Sequence, residues 1–195
     1  MTIFNTPILS RFFHLLTKAI MWMVGWRVEG KLPDLPKFIL IGAPHTSNWD
    51  FILFLGVIFT LRANVHFMGK MELFRSPLGF FFRYCGGIPV DRKKSTGLVD
   101  QMVDAATQAD RFILTIAPEG TRHQVTEWKR GFYHIAKGAG IPIVMAVVDG
   151  KHKEIRVGQV FQPSDDIEAD MKSIQGFFDG VVGVNPRRKY ITLES

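Results

Sequence analysis

The chain contains the stretch Phe38-Ile39-Leu40-Ile41-Gly42-Ala43-Pro44-His45-Thr46-Ser47-Asn48-Trp49-Asp50. Its first four residues are apolar and predict a short buried strand, and the uncharged apolar run from Phe51 to Leu61 predicts a helix. Pro44 disfavours a helical conformation at the preceding residue, and the following Thr, Ser and Asn are good N-cap residues. His45 is therefore predicted in a strand-to-helix loop and Asp50 in the first helical turn, where α/β proteins form crevices.

His45 and Asp50 are five residues apart, so a continuous helix would not place them on one face. The turn has to bring them together. If it does, the carboxylate holds one imidazole nitrogen as N–H and leaves the other free to accept a proton. The alternative is a structural one, in which His45 is an ordinary loop residue and Asp50 complements the helix dipole.

The rest of the chain alternates between strand and helix patterns. Its 195 residues are enough for one domain with a real core. This alternation predicts an α/β fold, a single domain with a largely parallel central sheet flanked by helices. The predicted strands cover residues 26–30, 38–41, 64–68, 88–92, 111–116, 141–148 and 155–161. The predicted helices cover residues 51–61, 70–84 with a break near Pro77, 96–109, 131–138 with Gly138 near the C-cap, and 165–178.

The composition narrows the class of protein. Hydrophobic residues make up 47% of the chain, and Phe alone supplies 17, which excludes a disordered chain and favours a greasy binding surface. The net charge of +6 suits an anionic partner such as lipid headgroups or a phosphorylated substrate. Basic residues cluster only in short runs without a nucleic-acid-binding motif, so no nucleic-acid partner is expected. The single cysteine, Cys85, excludes an internal disulfide and fits a reducing compartment.

Residues 1–26 form a separate amphipathic unit ahead of the domain predicted at 27–195. Apolar residues recur there at helical spacing, namely Phe4, Ile8, Phe12, Leu15, Ala19, Met23 and Trp26. The uncharged run from Ala19 to Trp26 is too short to span a bilayer. Two interpretations stay open: a helix lying in the membrane interface, with Trp22 and Trp26 at headgroup depth, or a helix packed on the domain's own core.

Polar groups follow three of the predicted strands: His45 with Asp50, Asp91-Arg92, and Glu119-Gly120-Thr121-Arg122. Parallel strands bring their C-terminal ends to one edge, so these groups should converge. A base, a carboxylate and two arginines fit a reaction in which an alcohol attacks an acyl group beside an anchored phosphate, because the guanidinium fork suits phosphate. Gly120 would let the backbone approach a ligand closely. The six histidines show no paired ligand spacing, so no metal site is predicted.

These residues carry a resemblance to the glycerolipid acyltransferase family, typified by 1-acylglycerol-3-phosphate acyltransferases. Four blocks match in the family's order and at its approximate spacing, across roughly residues 25–150. They are the His-x4-Asp block from His45 to Asp50, the block Gly87-Ile88-Pro89-Val90-Asp91-Arg92, the block Pro118-Glu119-Gly120-Thr121-Arg122, and Ile141-Pro142-Ile143-Val144. The segment from Lys70 to Phe74 also resembles the family's segment between the first two blocks.

The resemblance implies transfer of a long-chain acyl group from acyl-CoA or acyl-carrier protein to a hydroxyl of a lysophospholipid-type acceptor, such as 1-acylglycerol 3-phosphate. It implies His45 as general base and Asp50 as its orienting carboxylate. Arg92 and Arg122 would hold an acceptor phosphate, and Glu119, Gly120 and Thr121 would shape that pocket, although Glu119 fits equally well as a structural partner of an arginine. Backbone N–H groups near Lys70 would hold the developing oxyanion.

The same resemblance implies no cofactor beyond the acyl thioester, and a cytoplasmic protein bound peripherally to the inner face of the membrane. Two other function classes stay open. A hydrolase would use the same His–Asp pair on water, although the chain lacks the Gly-x-Ser-x-Gly elbow of serine hydrolases. A non-enzymatic lipid-binding protein would need neither His45 nor Asp50.

Overall fold

The computed structural model describes residues 2–47, 49–90, 97–121, 125 and 127–185. Its helices are α1 (Pro7–Met23), α2 (Trp49–Leu61), α3 (Met71–Arg75), α4 (Gly79–Tyr84), α5 (Leu98–Gln108), α6 (Gly131–Ala139) and α7 (Ile167–Gly176). Its strands are β1 (Arg27–Gly30), β2 (Lys37–Ala43), β3 (His66–Lys70), β4 (Gly87–Val90), β5 (Phe112–Ile116), β6 (Ile143–Asp149) and β7 (Glu154–Phe161). The predicted break within 70–84 falls between α3 and α4.

The strands form one sheet in the order β1-β7-β6-β2-β5-β3-β4. All neighbouring strands run parallel except β6 and β7, which pair antiparallel through a short turn. The predicted single α/β domain with a largely parallel sheet is thereby confirmed. The strand β2 lies at the centre, paired with β5 on one side and β6 on the other. The loop that follows β2 is therefore held between two neighbouring strand ends.

Side chains of β2 alternate between two hydrophobic cores, as a strand covered on both faces requires. Ile39, Ile41 and Ala43 join the core formed with α5, α6 and α7. Phe38 and Leu40 join the core formed with α1 and α2. The helices that follow β2 and β5 consequently lie on opposite faces of the sheet.

The helix α1 packs on α2 through one narrow face. Phe13 stacks on Phe59 with ring centroids 5.0 Å apart, His14 Nδ1 lies 3.0 Å from the Phe59 carbonyl oxygen, and Met21 is buried against Gly56. The middle of the apolar stripe predicted from the sequence faces outward, with the side chains of Ile8, Phe12, Leu15 and Met23 exposed. Its two ends, Phe4 and Trp26, pack into the core. No helix in the described ranges is long and apolar enough to cross a bilayer.

The helix α6 ends at Ala139, one residue beyond the predicted range 131–138. The helix continues through Gly138 and is capped by Gly140, whose φ of +64° is the left-handed conformation that glycine adopts most readily. Gly138 has a different reason to be glycine, because a Cβ there would lie 2.9 Å from Val103 Cγ2. The residue therefore lets α5 and α6 approach closely.

His66 is a titratable residue placed within the sheet. Its ring stacks on Phe112 with centroids 6.0 Å apart, and its Nδ1 has no hydrogen-bond partner among the described residues. Burial lowers the pKa of His66 below its ordinary value, and a hydrogen bond with the Ile113 backbone only partly opposes this. The folded protein therefore resists protonation at this position.

We expect His66 to make the fold sensitive to mild acid. As the pH falls below about 6.5, the unfolded chain takes up a proton here before the folded chain does, so stability present above that pH is lost. His66→Phe keeps the aromatic contact and removes the titration. Its free energy of unfolding, measured by urea denaturation, should fall less between about pH 7.5 and about pH 5.5 than that of the wild type.

The exposed His134 on α6 supplies the control, because His134→Gln replaces a histidine that lies on the surface. An identical acid dependence in the wild type and His66→Phe would contradict the assignment.

Candidate active site

The site lies at the C-terminal ends of the adjacent strands β2 and β5. From there the chain continues into α2 on one face of the sheet and into α6 on the other. Neighbouring parallel strands that diverge to opposite faces leave a crevice between their following loops, and ligands bind there in open α/β sheets. One loop carries His45 and the other carries Glu119.

The turn does bring His45 and Asp50 together. Nδ1 of His45 lies 2.9 Å from Oδ2 of Asp50. The Asp50 side chain is buried, whereas the His45 side chain keeps 25% of its surface exposed. A carboxylate this close to Nδ1 favours the tautomer with its proton on Nδ1, which makes Nε2 the nitrogen available to accept a proton.

The same oxygen of Asp50 also shapes the loop. It accepts the backbone N–H groups of Thr46 at 2.6 Å and Ser47 at 2.8 Å, and Ser47 Oγ accepts the N–H of Trp49 at 3.2 Å. These bonds satisfy backbone donors at the start of α2, as capping side chains do. Asp50 thus contacts the imidazole of His45 and also stabilises the loop that carries it.

Glu119 joins the two loops of the crevice. Its buried carboxylate accepts the backbone N–H of His45 through Oε1 at 2.9 Å. Burial raises the pKa of Glu119 above its usual value, although the His45 N–H bond acts in the opposite direction. This contact to the backbone of His45 was not predicted; the sequence pointed to an arginine or to the substrate.

Two buried carboxylate oxygens in the crevice have no hydrogen-bond partner within the described residues: Oδ1 of Asp50 and Oε2 of Glu119. Buried polar atoms in proteins almost always have a partner, so each oxygen requires a donor that the described residues do not supply. The crevice can therefore take up further donors, from a substrate or from other parts of the chain.

Gly120 turns the loop after β5 with a φ of +64°. A Cβ at this position would lie 2.8 Å from Cδ of Lys129, so the lysine side chain passes directly over the glycine. Thr121 follows and is partly buried. Lys129 is a basic residue at this edge that the sequence analysis did not single out, because no motif marks it.

The other predicted site residues lie farther away or outside the described residues. Lys70 is exposed at the end of β3, and β5 lies between β3 and β2, so its backbone is about 10 Å from that of the His45 strand. Arg92 and Arg122 lie outside the described residues. A substrate-binding role for any of these three residues stays a prediction.

Two structural contacts at this edge were missed from the sequence. The hydroxyl of Thr46 accepts the backbone N–H of Asn185 at 3.0 Å, so the chain after α7 returns to the site. Asp149, at the end of β6, lies 2.7 Å from Nδ1 of His152. Neither pair has a characteristic sequence spacing that would reveal it.

Two other features of the described residues do not belong to the crevice. A cavity of about 590 Å³ lies at the opposite edge of the sheet, beside Phe38 and Ile113 near the starts of β2 and β5. Over the ranges described, no three His, Cys, Asp or Glu side chains are grouped as metal ligands.

Comparison with known proteins agrees with the geometry. The protein is 27% identical over 165 residues to the 1-acyl-sn-glycerol-3-phosphate acyltransferase of Haemophilus influenzae, a match covering 80% of this chain and 65% of the relative. It is 30% identical over 145 residues to the enzyme of that name from Saccharomyces cerevisiae, covering 70% of this chain and 46% of the relative. These matches span less than two thirds of the length of either relative.

A solved structure has the same fold. The 1-acyl-sn-glycerophosphate (LPA) acyltransferase PlsC from Thermotoga maritima superposes with a TM-score of 0.62, at 19% identity, over 87% of this chain and 76% of that one. A family model described as Acyltransferase matches residues 26–149. These residues comprise most of the chain and include the His45–Asp50 pair and the Glu119 loop, and the protein therefore belongs to the acyltransferase family.

Proposed function

We propose that the protein transfers a long-chain acyl group from acyl-CoA or acyl-carrier protein to a hydroxyl of a lysophospholipid-type acceptor, with 1-acylglycerol 3-phosphate as the leading candidate. The observation that carries the proposal is the 2.9 Å contact between Nδ1 of His45, whose side chain is 25% exposed, and Oδ2 of the buried Asp50. The curated relatives support the acceptor, because they carry the name 1-acyl-sn-glycerol-3-phosphate acyltransferase.

In the proposed reaction, Nε2 of His45 takes the proton of the acceptor hydroxyl as its oxygen attacks the thioester carbon. Asp50 stabilises the imidazolium that forms and keeps its orientation. The tetrahedral intermediate collapses with cleavage of the C–S bond, and the imidazolium returns the proton to the leaving sulfur. The products are an ester and a thiol, and no covalent acyl-enzyme is needed because the acceptor is itself the nucleophile.

The acceptor phosphate needs donors close to this base. Arg122 and Arg92 are proposed to bind it, since guanidinium groups donate paired hydrogen bonds to phosphate. Thr121 and Gly120 would shape the pocket beside Glu119. Backbone N–H groups near Lys70 are proposed to stabilise the developing oxyanion. This role requires the reacting thioester to lie over β5, between His45 at the end of β2 and Lys70 at the end of β3.

The substrates are amphipathic, and the exposed apolar surface supports binding at a membrane surface. The outer face of α1 exposes Ile8 at 82% and Trp22 at 81%, and the start of α2, next to His45, exposes Trp49 at 68%. A helix with this pattern lies in the interface plane with its apolar face in the lipid. We propose peripheral attachment through α1, on the inner face of the membrane, in keeping with a chain whose one cysteine is free and buried.

Replacing His45 by Ala should lower turnover by about 10²–10⁴-fold, because a general base is lost. The assay uses purified protein in detergent micelles with labelled long-chain acyl-CoA and a panel of acceptors. The panel contains lysophosphatidate, glycerol 3-phosphate, a neutral lysolipid and no acceptor. Labelled product should require both an acceptor and His45.

His134→Ala, at an exposed histidine on α6, is the matched control and should keep wild-type activity. If His45→Ala turned over at the wild-type rate, the mechanism would be wrong. Free fatty acid formed without acceptor, and still dependent on His45, would identify a hydrolase instead. If acyl-CoA gives no product, acyl-carrier-protein thioesters are tested as donors before the transferase is rejected.

Asp50→Asn should leave the imidazole in the wrong tautomer. The amide NH₂ can donate to Nδ1, which moves the ring proton to Nε2 and removes the base, so turnover should fall at least about 100-fold. Nitrogen-15 NMR of the ring measures the tautomer directly, with Nδ1–H expected in the wild type. Asp104→Asn, at an exposed acid on α5, is the control. A wild-type tautomer and rate in Asp50→Asn would refute the role of Asp50.

Replacing Ile8 and Leu15 together by Gln should weaken binding to vesicles while preserving the helix. Each side chain contributes up to about 2 kcal/mol when transferred from water, so the pair should lower the partition coefficient at least about tenfold. Vesicle co-sedimentation measures it. Val160→Gln, at an exposed apolar residue on β7, is the control and should bind as the wild type does. Equal binding of all three proteins would exclude attachment through α1.

A further inference from the structure

The segment of residues 181–185, here called the strap, follows α7 and returns to the active-site edge of the sheet. It passes between the turn that follows β6 and the loop that carries His45. On one side the N–H of Gly150 donates to the carbonyl of Val182 at 2.7 Å. On the other side the N–H of Asn185 donates to Oγ1 of Thr46 at 3.0 Å. The strap is thereby attached to both neighbours.

The fit on the side of His45 leaves no spare room. A Cβ at Gly183 would lie 2.5 Å from Cγ2 and 2.6 Å from Oγ1 of Thr46. Gly183 does not have a left-handed φ, so its backbone conformation would accept other residues. The requirement for glycine at this position comes from the space that the Thr46 side chain occupies.

The fit on the other side is equally tight. A Cβ at Gly150 would lie 2.4 Å from the carbonyl oxygen of Gly183. The turn behind Gly150 is itself held by Asp149, whose carboxylate accepts the N–H groups of Lys151 and His152 at 3.0 and 3.1 Å. The strap therefore cannot move away from Thr46 without disturbing an anchored turn.

Thr46 connects the strap to the catalytic pair. Its side chain is buried against the strap, and its own N–H donates to Oδ2 of Asp50 at 2.6 Å. That oxygen is the one that holds Nδ1 of His45. A displacement of Thr46 would therefore shift Oδ2 of Asp50 and, through that shared oxygen, the imidazole of His45.

We infer that the strap positions the His45–Asp50 pair, and that Gly183 and Asn185 are positioning residues acting through Thr46. The strap lies outside residues 26–149, which the family model matches, so the family's common domain does not account for it. The kinetic part of this inference rests on the proposed acyl transfer, whereas the geometric part does not.

Gly183→Ala tests the inference, with Gly176→Ala as the matched control, because a Cβ at Gly176 meets nothing within 4 Å. Gly183→Ala should lower kcat about 10- to 100-fold, since a shift of about 1 Å can cost that much, and should leave the acceptor KM within about twofold. The control should keep the wild-type kcat. Urea denaturation of each variant shows whether the protein remains folded.

Combining Gly183→Ala with Thr46→Ser provides a rescue. Serine lacks the Cγ2 methyl that the new Cβ would strike at 2.5 Å, and its unbranched Cβ lets the hydroxyl rotate away from the second contact, at 2.6 Å. The double variant should recover part of the lost kcat relative to Gly183→Ala alone. If the double variant is no better, the clash does not act through Thr46 and the inference fails.

Nitrogen-15 NMR of the His45 ring gives a readout independent of activity. Gly183→Ala should lower the population of the Nδ1–H tautomer of His45, and Gly176→Ala should leave that population unchanged. If the wild type transfers no acyl group and Gly183→Ala still changes the His45 tautomer, the result would support the positioning role of the strap and refute the proposed function. A wild-type tautomer and kcat in folded Gly183→Ala would overturn the inference.

If Gly183→Ala does not fold, Thr46→Val decides. Valine keeps the shape of threonine and removes the oxygen that accepts the Asn185 N–H. A lower kcat with an unchanged acceptor KM and a weakened Nδ1–H tautomer would support the inference. Wild-type values for both would overturn it.

Discussion

One carboxylate oxygen holds the active-site loop together. Oδ2 of Asp50 accepts the backbone N–H groups of Thr46 and Ser47 and lies 2.9 Å from Nδ1 of His45. A buried carboxylate is costly unless it is well hydrogen-bonded, and these donors offset that cost at the start of α2. The bonds that stabilise the turn and the contact that orients the His45 ring thus depend on the same atom.

The topology of the sheet brings a second carboxylate, that of Glu119, next to His45. Because β2 and β5 are neighbours whose following helices cover opposite faces, the loops after them face each other across a crevice. Glu119 reaches from one loop to the N–H of His45 in the other. Two residues far apart in sequence meet because parallel strands end at the same edge, and His45 is contacted at both its backbone and its ring.

The sequence predicted the features that depend on local pattern and on strand direction. It predicted the alternation of strands and helices, and the meeting of His45 and Asp50 in a turn. It did not predict contacts that depend on tertiary space, because a glycine such as Gly183 looks the same in sequence whether it is needed for a turn or for room beside Thr46. It also left the direction of the α1 stripe open, since that depends on Phe13 and Met21 facing α2.

The helix α2 connects the His45–Asp50 pair with the exposed apolar surface of the protein. Its first turn contains Asp50, buried beside the base, together with Trp49 and Ile52, whose side chains are exposed. Its other end packs against the inner face of α1, whose outer face is apolar. Under the proposed function, a lysolipid whose acyl chain stays in the apolar phase would present its glycerol hydroxyl at the start of this helix. The Asp50 carboxylate is buried and accepts two backbone N–H groups, so approach to a membrane need not expose it to lipid. One helix thereby combines an ordered polar pair at its start with an exposed apolar surface beside it.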